Sequence, residues 1–423
     1  MERYNSYKDS GVSWIGEIPE HWEVKQLRSF LTLFAEKGHG DAQLLSVTRE
    51  QGVIERDKED KEENHNFVPD DLSGYKYIEK GDFAINKMKA WQGSYAVSEY
   101  NGIVSPAYFT CKLKGVNKDF FSKAIRSKVY VPFFIQYSKG IRVGQWDLNP
   151  NALKSIPFFL PTTDEQQAIV AYIEEKCQKI DAYIADKEKE IELLQELKQR
   201  TIADAVTKGL NPDAKMKDSG VSWIGEIPEH WEVKRVASFL HERKEKYNGD
   251  ETLGILSLLK GIGIIPYEDK GNIGNKAKED LSTYKITRKG DVVVNCMNVI
   301  IGSSGITDYD GYISPAYYSF IPIEKNMATL YKHWLSLPQM QGAIRCMAKG
   351  ILEIRLRVSS QQLLSMKIPY PPSDEQQSIV SYIEEKCQKI DKLASELQSE
   401  IDYLKEYKQR LIADCVTGQV KVS

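Results

Sequence analysis

The motifs that could carry catalysis are incomplete in this sequence. A methyltransferase that acts on amino groups needs an Asn/Asp-Pro-Pro-aromatic loop, but Asn149-Pro150-Asn151 and Asn211-Pro212-Asp213 lack the second proline and the aromatic residue. No glycine-rich loop with a following Lys-Ser/Thr is present to hold nucleotide phosphates. A nuclease needs spaced carboxylates and a lysine on one sheet, and Pro69-Asp70-Asp71 is only a fragment of that pattern. We therefore predict no catalytic residue in this chain.

Histidine and cysteine placement also argues against a metal or nucleophilic site. His21 and His230 have no nucleophile nearby in the sequence. The cysteines show neither C-x-x-C spacing nor histidines at metal-site distances; they are Cys111, Cys177, Cys296, Cys346, Cys387 and Cys415. We predict no metal site, and we expect the thiols near the helical seam described below to act as small hydrophobic groups.

Composition and charge limit the class of protein. The chain has 423 residues, enough for two or three domains, and a net charge of −3. Because the whole chain is not basic, any affinity for DNA needs locally clustered lysine and arginine, or a partner that adds charge. No apolar run approaches the ~20 residues that span a bilayer, and the N-terminus lacks the apolar core of a signal peptide. The expected location is a reducing cytoplasm.

One stretch occurs twice and dominates the organisation of the chain. Asp164 to Asp181 returns as Asp374 to Asp391 with only two alanine-to-serine changes. Each copy opens a segment free of proline and glycine, Glu165–Lys208 and Glu375–Thr417. Strong helix formers dominate both segments, which predicts two helices of about 65 Å at roughly 1.5 Å per residue. The expected N-terminal caps are Thr163 or Asp164 in the first helix and Ser373 or Asp374 in the second.

The apolar residues of both segments recur every seventh position, which predicts a coiled coil. The predicted seam residues are Ile173, Ile180, Ile184, Ile191 and Leu194 in the first segment, and Ile383, Ile390, Leu397, Leu404 and Leu411 in the second. Lys187 and Thr201 interrupt the first row and weaken that seam. The pattern favours pairing between the two copies within one chain. The alternative is two independent amphipathic helices, each lying on its own core.

A second repeat precedes each long segment. Lys8 to Lys25, a stretch rich in tryptophan, recurs without a change as Lys217 to Lys234. The chain is therefore a tandem duplication of one unit rather than a short-period solenoid. We expect these two apolar stretches, which we call the straps, to pack on the neighbouring cores.

Between strap and long helix, the two copies have diverged around a shared framework. Lys80-Gly-Asp matches Lys289-Gly-Asp, and each is followed by a predicted apolar strand. Asn101-Gly102 and Asp310-Gly311 are expected to form tight hairpin turns with positive φ angles, just before the shared Ser-Pro-Ala-Tyr sequence. Further predicted elements are helices near Lys118–Tyr137 and Lys325–Ala348, loops starting at Lys139 and Lys349, and closing strands at Ile156–Leu160 and Met366–Tyr370. The globular parts are thus mixed α and β with small curved sheets.

The distribution of identity between the copies is informative. Straps and helix beginnings are nearly identical, whereas the globular parts differ. Two equivalent docking sites combined with two different recognition surfaces would produce this pattern. Gene conversion that homogenised the ends is the alternative, although the matching tails, Lys198 to Asp204 and Lys408 to Asp414, argue mildly against it.

Taken together, these motifs resemble the specificity subunit of bacterial type I restriction-modification systems. The resemblance rests on Gly-x-x-Trp-Ile-Gly-x-Ile-Pro-x-His-Trp, the Lys-Gly-Asp strand, Ser-Pro-Ala-Tyr, and Pro-x-x-Glu-Gln-x-x-Ile at the start of a long helix, and it covers the chain twice over. It implies two target-recognition domains held apart by two antiparallel helices with pseudo-two-fold symmetry. It also implies double-stranded DNA, two methyltransferase subunits and restriction motor-nuclease subunits as partners. S-adenosylmethionine, ATP and Mg²⁺ would belong to those partners.

The resulting division has four parts. Residues 1–160 form the first target-recognition domain, 161–215 the central helix and spacer, 216–370 the second domain, and 371–423 a C-terminal helix that pairs with the central one. Each domain is expected to read one half of an asymmetric, gapped DNA site, with helix length setting the gap.

Candidate DNA contacts are polar residues in the divergent loops, since direct readout needs such groups at base edges and phosphates. In the first copy they are Lys87, Lys89, Gln92, Lys139, Arg142 and Gln145, and in the second they are Asn295, Asn298, Lys349, Arg355 and Arg357. The alternative is that these are ordinary exposed loop residues, with Trp91 and Trp146 packed inward. For the whole chain, the competing hypotheses are a duplicated scaffold that binds protein or ligand, and an enzyme with an unrecognised site.

Overall fold

The structure, a computed structural model, describes residues 2–57, 68–140, 146–273, 276–278, 280–348 and 356–422. The chain divides into two compact units, the first formed by Met1–Glu188 with Gln398–Ser423 and the second by Lys189–Leu397. The unit boundaries fall inside the two long helices, so each unit contains part of both. Each unit mixes α-helices with small β-sheets, which confirms the fold class predicted from the sequence.

The first unit has the following elements. Its strands are β1 (Tyr7–Asp9), β2 (Glu17–Pro19), β3 (Glu23–Gln26), β4 (Leu31–Phe34), β5 (Leu45–Thr48), β6 (Gly52–Glu55), β7 (Lys76–Ile78), β8 (Phe83–Ile85), β9 (Tyr95–Val97), β10 (Gly102–Val104), β11 (Phe109–Leu113), β12 (Ser138–Lys139), β13 (Asp147–Leu148) and β14 (Pro157–Leu160). Its helices are α1 (Lys118–Arg126), α2 (Val131–Tyr137), α3 (Pro150–Ser155) and the start of α4 (Thr163–Lys208).

The sheet of the first unit is small and antiparallel. Its four strands lie in the order β4-β11-β8-β9, and β5 pairs with β6, β7 with β10, and β12 with β13. The strand at the end of the strap, β3, pairs with β14, the strand before the long helix, so the segments by which the chain enters and leaves the domain lie side by side. Arg126 at the end of α1 anchors the β5–β6 turn, because its guanidinium donates to the carbonyl oxygens of Arg49 and Glu50 at 2.9 and 2.8 Å.

The second unit repeats this plan. Its strands are β15 (Met216–Asp218), β16 (Glu226–Pro228), β17 (Glu232–Arg235), β18 (Leu240–Glu242), β19 (Gly254–Leu259), β20 (Gly263–Pro266), β21 (Lys285–Thr287), β22 (Val292–Asn295), β23 (Ser304–Ile306), β24 (Gly311–Ile313), β25 (Tyr317–Pro322) and β26 (Lys367–Tyr370). Its helices are α5 (Lys325–Ser336), α6 (Pro338–Met347), α7 (Ser360–Ser365) and the start of α8 (Ser373–Val416).

The sheets of the second unit follow the same order. The four-stranded sheet β18-β25-β22-β23 corresponds to that of the first unit, and β20-β19-β24-β21 forms a second sheet in which β19 and β24 are parallel. β17 pairs with β26 as β3 does with β14. Each predicted helical stretch after the sheet is divided into two helices, α1–α2 in the first unit and α5–α6 in the second, by a residue in extended conformation.

The predicted hairpin turns at Asn101-Gly102 and Asp310-Gly311 are wrong. Gly102 and Gly311 begin β10 and β24 and are not among the glycines with positive φ. These strands pair with β7 and β21 instead of with the strand before the turn. The glycines serve a close approach: a Cβ on Gly102 would lie 2.3 Å from the carbonyl oxygen of Gln43. Glycine is required here by contact with another backbone rather than by turn geometry.

The first long helix is capped one residue earlier than predicted. Thr162, rather than Thr163 or Asp164, forms a reciprocal cap with Glu165, because the Thr162 N–H donates to Glu165 Oε2 at 3.0 Å and the Glu165 N–H donates to Thr162 Oγ1 at 3.4 Å. His21 of the strap also binds this carboxylate at 2.8 Å. Burial raises the pKa of Glu165, but the hydrogen bonds from His21 and Thr162 outweigh it, so the net pKa lies below its usual value.

Both straps pack on the cores as expected. Trp22 and Trp231 are fully buried. In the second unit, Glu375 at the start of α8 accepts hydrogen bonds at 2.8 Å from both His230 and Trp231 Nε1. The strap and the helix beginning therefore contact each other directly, and the equivalent contact between His21 and Glu165 occurs in the first unit.

The long helices pair with each other within each unit. In the first unit, Lys408 Nζ of α8 lies 2.6 Å from Asp181 Oδ1 of α4, and Lys187 pairs with Glu400. Residue numbers rise along one helix as they fall along the other, so the helices are antiparallel. In the second unit, Lys198 and Asp391, the repeat equivalents of Lys408 and Asp181, form the same ion pair at 2.6 Å. The hypothesis of two independent helices is excluded by these contacts.

Candidate nucleic-acid interface

The shared motifs build the frame of each domain. Asp82 of the first Lys-Gly-Asp motif is 2% exposed and binds Lys112 Nζ at 2.9 Å. Its counterpart Asp291 binds the guanidinium of Arg243 through two hydrogen bonds of 2.6 and 3.0 Å. A buried carboxylate held by a cation and by backbone N–H groups orders the turn before the strand. The motif is thus structural.

The Ser-Pro-Ala-Tyr motif has a similar role. The carbonyl oxygen of its tyrosine accepts a hydrogen bond from a half-buried lysine, Lys76 to Tyr108 at 2.5 Å and Lys285 to Tyr317 at 2.7 Å. Burial lowers the pKa of both lysines. Both lysine side chains therefore hold the frame together and are not available to bind a ligand.

The divergent loops of the first unit converge beside this frame. The Leu148 N–H donates to the Lys87 carbonyl oxygen at 3.1 Å, which holds β13 against the turn after β8. Lys87 Nζ lies 3.1 Å from Asp147 Oδ2, and Lys139 is the β-sheet partner of Asp147. We call this group, Lys87, Lys139 and Asp147 with the Trp91–Trp146 pair, the first platform.

The aromatic pair and the remaining predicted contacts lie next to it. Trp91 and Trp146 contact each other with ring centroids 5.3 Å apart, and both are half-buried rather than packed inward. Lys89 and Gln92, which flank Trp91, are exposed. Asp147, which the sequence did not single out, joins the platform because β12 and β13 pair, a contact that no local motif indicates.

The second unit has the equivalent platform with different residues. The Val358 N–H donates to the Cys296 carbonyl oxygen at 3.0 Å, as Leu148 does to Lys87. Arg357 is exposed at the position equivalent to Asp147, and Asn298 is exposed in the neighbouring turn. We call Cys296, Asn298 and Arg357 the second platform.

Asn295 does not fit a direct base contact. Its side chain is 6% exposed, and Oδ1 accepts hydrogen bonds from the backbone N–H groups of Met297 at 3.0 Å and Asn298 at 3.4 Å. Its amide is already used in holding the turn that presents Asn298. Four further predicted contacts, Arg142, Gln145, Lys349 and Arg355, lie outside the described residues.

A lysine-rich cavity of the second unit was missed from the sequence. It has a volume of about 380 Å³ and adjoins Asn298, with Lys260, Lys270 and Lys276 among its lining residues. Lys270 Nζ lies over the ring of Tyr267 at 4.4 Å. The three lysines fall within a divergent segment that also carries Glu268 and Asp269, so its net charge gave no signal in the sequence.

The predicted seam residues lie along the helix pair as follows. Ile173, Ile180, Ile184, Ile383, Ile390, Leu397 and Leu411 are buried, and Ile191, Leu194 and Leu404 are half-buried. Among the described residues, no group of histidine, cysteine or acidic side chains has the arrangement of a metal site. None of the helices in the described part of the chain combines the length and apolar character needed to cross a membrane.

Two domains built on one frame, with different polar platforms and a shared antiparallel helix pair, define a class of duplicated recognition subunits. Comparison with known proteins specifies that class. Residues 228–403 match the family described as "Type I restriction modification DNA specificity domain". The putative type I restriction enzyme MjaX specificity subunit of Methanocaldococcus jannaschii is 23% identical over 435 residues, which cover 96% of each chain.

Two solved structures share the fold. One is a chain from a study of complex assembly and conformational transition of the type I R-M system, with 15% identity, a TM-score of 0.66, and coverage of 95% of this chain and 99% of that one. The other is the HsdS subunit of Thermoanaerobacter tengcongensis, with 17% identity, a TM-score of 0.53, and coverage of 95% and 98%. Residues 228–403 of this chain are thus similar in sequence to the type I restriction-modification specificity domain, and the chain shares the fold of these two structures.

Proposed function

We propose that each unit reads one half of an asymmetric, bipartite DNA site through its platform. The observation that carries this proposal is the pair of equivalent backbone contacts, Leu148 to Lys87 and Val358 to Cys296, which place different side chains at the same position of one frame. Domains that read different bases need different side chains here, and Asp147 of the first unit is replaced by Arg357 in the second.

The chemistry of the platforms suits base recognition in the major groove. Lysine and arginine donate to guanine O6 and N7, whereas aspartate accepts from cytosine N4. The Lys87–Asp147 pair is about one-third and one-half exposed, at 32% and 49%, so its ion pair is weak in water and can exchange for contacts to a base pair. Arg357 offers only donors, which predicts that the second half-site contains guanine.

As a specificity subunit, the chain recognises DNA for a restriction-modification complex and is not its catalyst. We propose that the helix pairs dock two modification subunits, which carry adenine methylation and bind S-adenosylmethionine. Motor-nuclease subunits that use ATP and Mg²⁺ would join that assembly. The two ion pairs, Lys408–Asp181 and Lys198–Asp391, support two equivalent docking positions because they give both ends of the helix pair the same local geometry.

The test is methylation of randomised duplexes by the chain together with the modification subunit of the same system. We expect one gapped, asymmetric sequence to be methylated. Asp147→Ala should relax or weaken the first half-site only, and Arg357→Ala the second only, each by about 5- to 150-fold, the value of one good base contact. Lys392→Ala, on the exposed side of α8, serves as the control and should change neither half-site.

Other outcomes separate the alternatives. Effects of Asp147→Ala on both half-sites, or on neither, would refute the assignment of one platform to one half-site. Binding without sequence preference, with or without the partner, would favour a scaffold. Methylation or cleavage by this chain alone would favour an enzyme with an unrecognised site.

A further inference from the structure

The β19–β20 hairpin of the second unit carries an exposed isoleucine at its tip. The last paired residues of this hairpin are Leu259 and Gly263. The turn between them consists of Lys260, Gly261 and Ile262. Ile262 is 66% exposed, more than any other isoleucine, leucine, valine or methionine in the described part of the chain. Because single apolar residues are common at protein surfaces, the surroundings of Ile262 must show whether it has a role.

Two glycines leave this isoleucine without a side chain on either side of it in the turn. Gly261 and Gly263 flank it, with φ angles of 80° and 102°. A Cβ atom on either glycine would have no atom within 4 Å, so close packing inside the chain does not require them. Their positive φ angles do favour glycine. The hairpin therefore projects one apolar side chain from a narrow tip.

The base of this tip forms part of the lysine-rich cavity described above. Lys260 lines the cavity together with Asn298 of the second platform, and Lys276 lines it from the segment after β20. Both lysines are exposed, and none of the described lining residues is acidic. Such a wall attracts the phosphates of DNA. Because Lys260 is two residues from Ile262, the tip lies beside the surface proposed to read the second half-site.

The corresponding hairpin of the first unit has a polar tip. Its turn lies between the paired residues Thr48 and Gly52 and consists of Arg49, Glu50 and Gln51. Arg49 Nε lies 3.7 Å from the Glu50 carboxylate, and Arg126 holds the backbone of both residues, as described above. The two units therefore present turns of the same length, but only the second turn carries an apolar side chain.

We propose that Ile262 inserts between two stacked base pairs beside the second half-site and bends the duplex there, while Lys260 and Lys276 hold the adjacent phosphates. This rests on the function proposed above. Isoleucine is among the apolar side chains that proteins insert between base pairs, which bends a duplex by about 20 to 90°. The polar turn of the first unit does not distort its half-site.

This distortion adds a sequence preference that needs no hydrogen bond to a base. Pyrimidine–purine steps unstack and bend most easily. The second half-site is therefore flanked by a preferred pyrimidine–purine step, and replacing that step should weaken binding by about tenfold, the usual effect of one mismatched base pair. The first half-site has no such flanking preference.

The test uses the complex of the full chain with the modification subunit of the same system, bound to the sequence that this complex methylates. 2-Aminopurine, whose fluorescence rises when it unstacks, is placed in turn at each step beside either half-site. We expect a rise at one step beside the second half-site only. Ile262→Ser should abolish this rise and weaken binding by about tenfold, whereas Ile262→Leu should keep both because leucine can also insert.

Two matched variants control for the loss of an exposed side chain. Ile323→Ser removes an isoleucine that is 56% exposed and follows the end of β25 opposite Tyr317, which lines the cavity. Gln51→Ser alters the tip of the first hairpin. Neither variant should change the fluorescence or the affinity. Lys260→Ala should reduce the slope of log K against log salt concentration by about 0.9, the value of one phosphate contact.

The outcomes separate this inference from the proposed function. If the wild-type complex binds its sequence specifically but no step beside the second half-site unstacks, the inserted isoleucine is wrong. It is also wrong if Ile262→Ser keeps the fluorescence rise, or if Ile323→Ser loses it. If the wild-type complex binds without sequence preference, the proposed function itself fails.

Discussion

Asp82 and Asp291 illustrate at the residue scale what a short motif does and does not reveal. The Lys-Gly-Asp sequence predicted a turn followed by a strand, and both are present, with Gly81 and Gly290 at positive φ. The sequence could not reveal that each aspartate is buried against a cation far away in the chain, Lys112 in β11 or Arg243 just after β18. That partner is chosen by strand pairing, which local sequence does not encode.

His333 provides a pH-dependent prediction for the second unit. Burial, with the nearby charges of Lys332 and Lys198, lowers the pKa of this histidine to about 4, compared with about 6.5 in an unfolded chain. Between these values the unfolded state binds more protons than the folded state, so stability falls as the pH falls. By pH 5 we expect the unfolding free energy of the second unit to drop by about 1 to 2 kcal/mol.

The measurement is urea unfolding between pH 7 and pH 5. His333→Gln should lower stability at pH 7 but flatten its dependence on pH, because the titrating group is gone. An unchanged slope in this variant would show that other groups cause the loss.

At the scale of elements, the long helices were the most predictable part of the chain. The sevenfold apolar repeat specified their existence, and α4 and α8 end within a residue of the predicted positions. The start of α4 was misjudged because Thr162 caps the helix through Glu165, which strap residues also bind. The two hairpin turns were wrongly predicted for a related reason. Gly102 is required because another part of the backbone approaches it closely, and not because of its own turn conformation.

Lys187 offers a prediction on the helix seam. It occupies the position at which the second helix carries Leu397, a buried seam residue, and it pairs with the exposed carboxylate of Glu400. Lys187→Leu should stabilise the chain by about 1 kcal/mol, since a buried leucine contributes more than a partly exposed ion pair. Thermal unfolding checks this, with Lys187→Ala as the control, which should be neutral or destabilising. A loss of stability in Lys187→Leu would show that the ion pair dominates.

At the scale of the whole molecule, the proposed function predicts that helix length sets the gap between half-sites. Inserting one heptad into both α4 and α8 preserves the apolar period and so the seam. We expect the methylated sequence to keep both half-sites and to acquire a longer gap, as mapped on randomised duplexes with the modification subunit. Insertion into α4 alone breaks the matching of the two helices and should reduce methylation. An unchanged gap in the double insertion would contradict the role of the helices as a spacer.

The sequence by itself determined the duplication, the two long helices and the mixed α and β character, because periodicity and internal identity are properties of residue order. Only the tertiary structure decided which loop residues share a platform and that Asn295 is buried. These depend on contacts between residues far apart in the chain, such as the pairing of β12 with β13. The local sequence determines which secondary structure each segment favours. The packing of distant segments against one another determines which side chains remain at the surface.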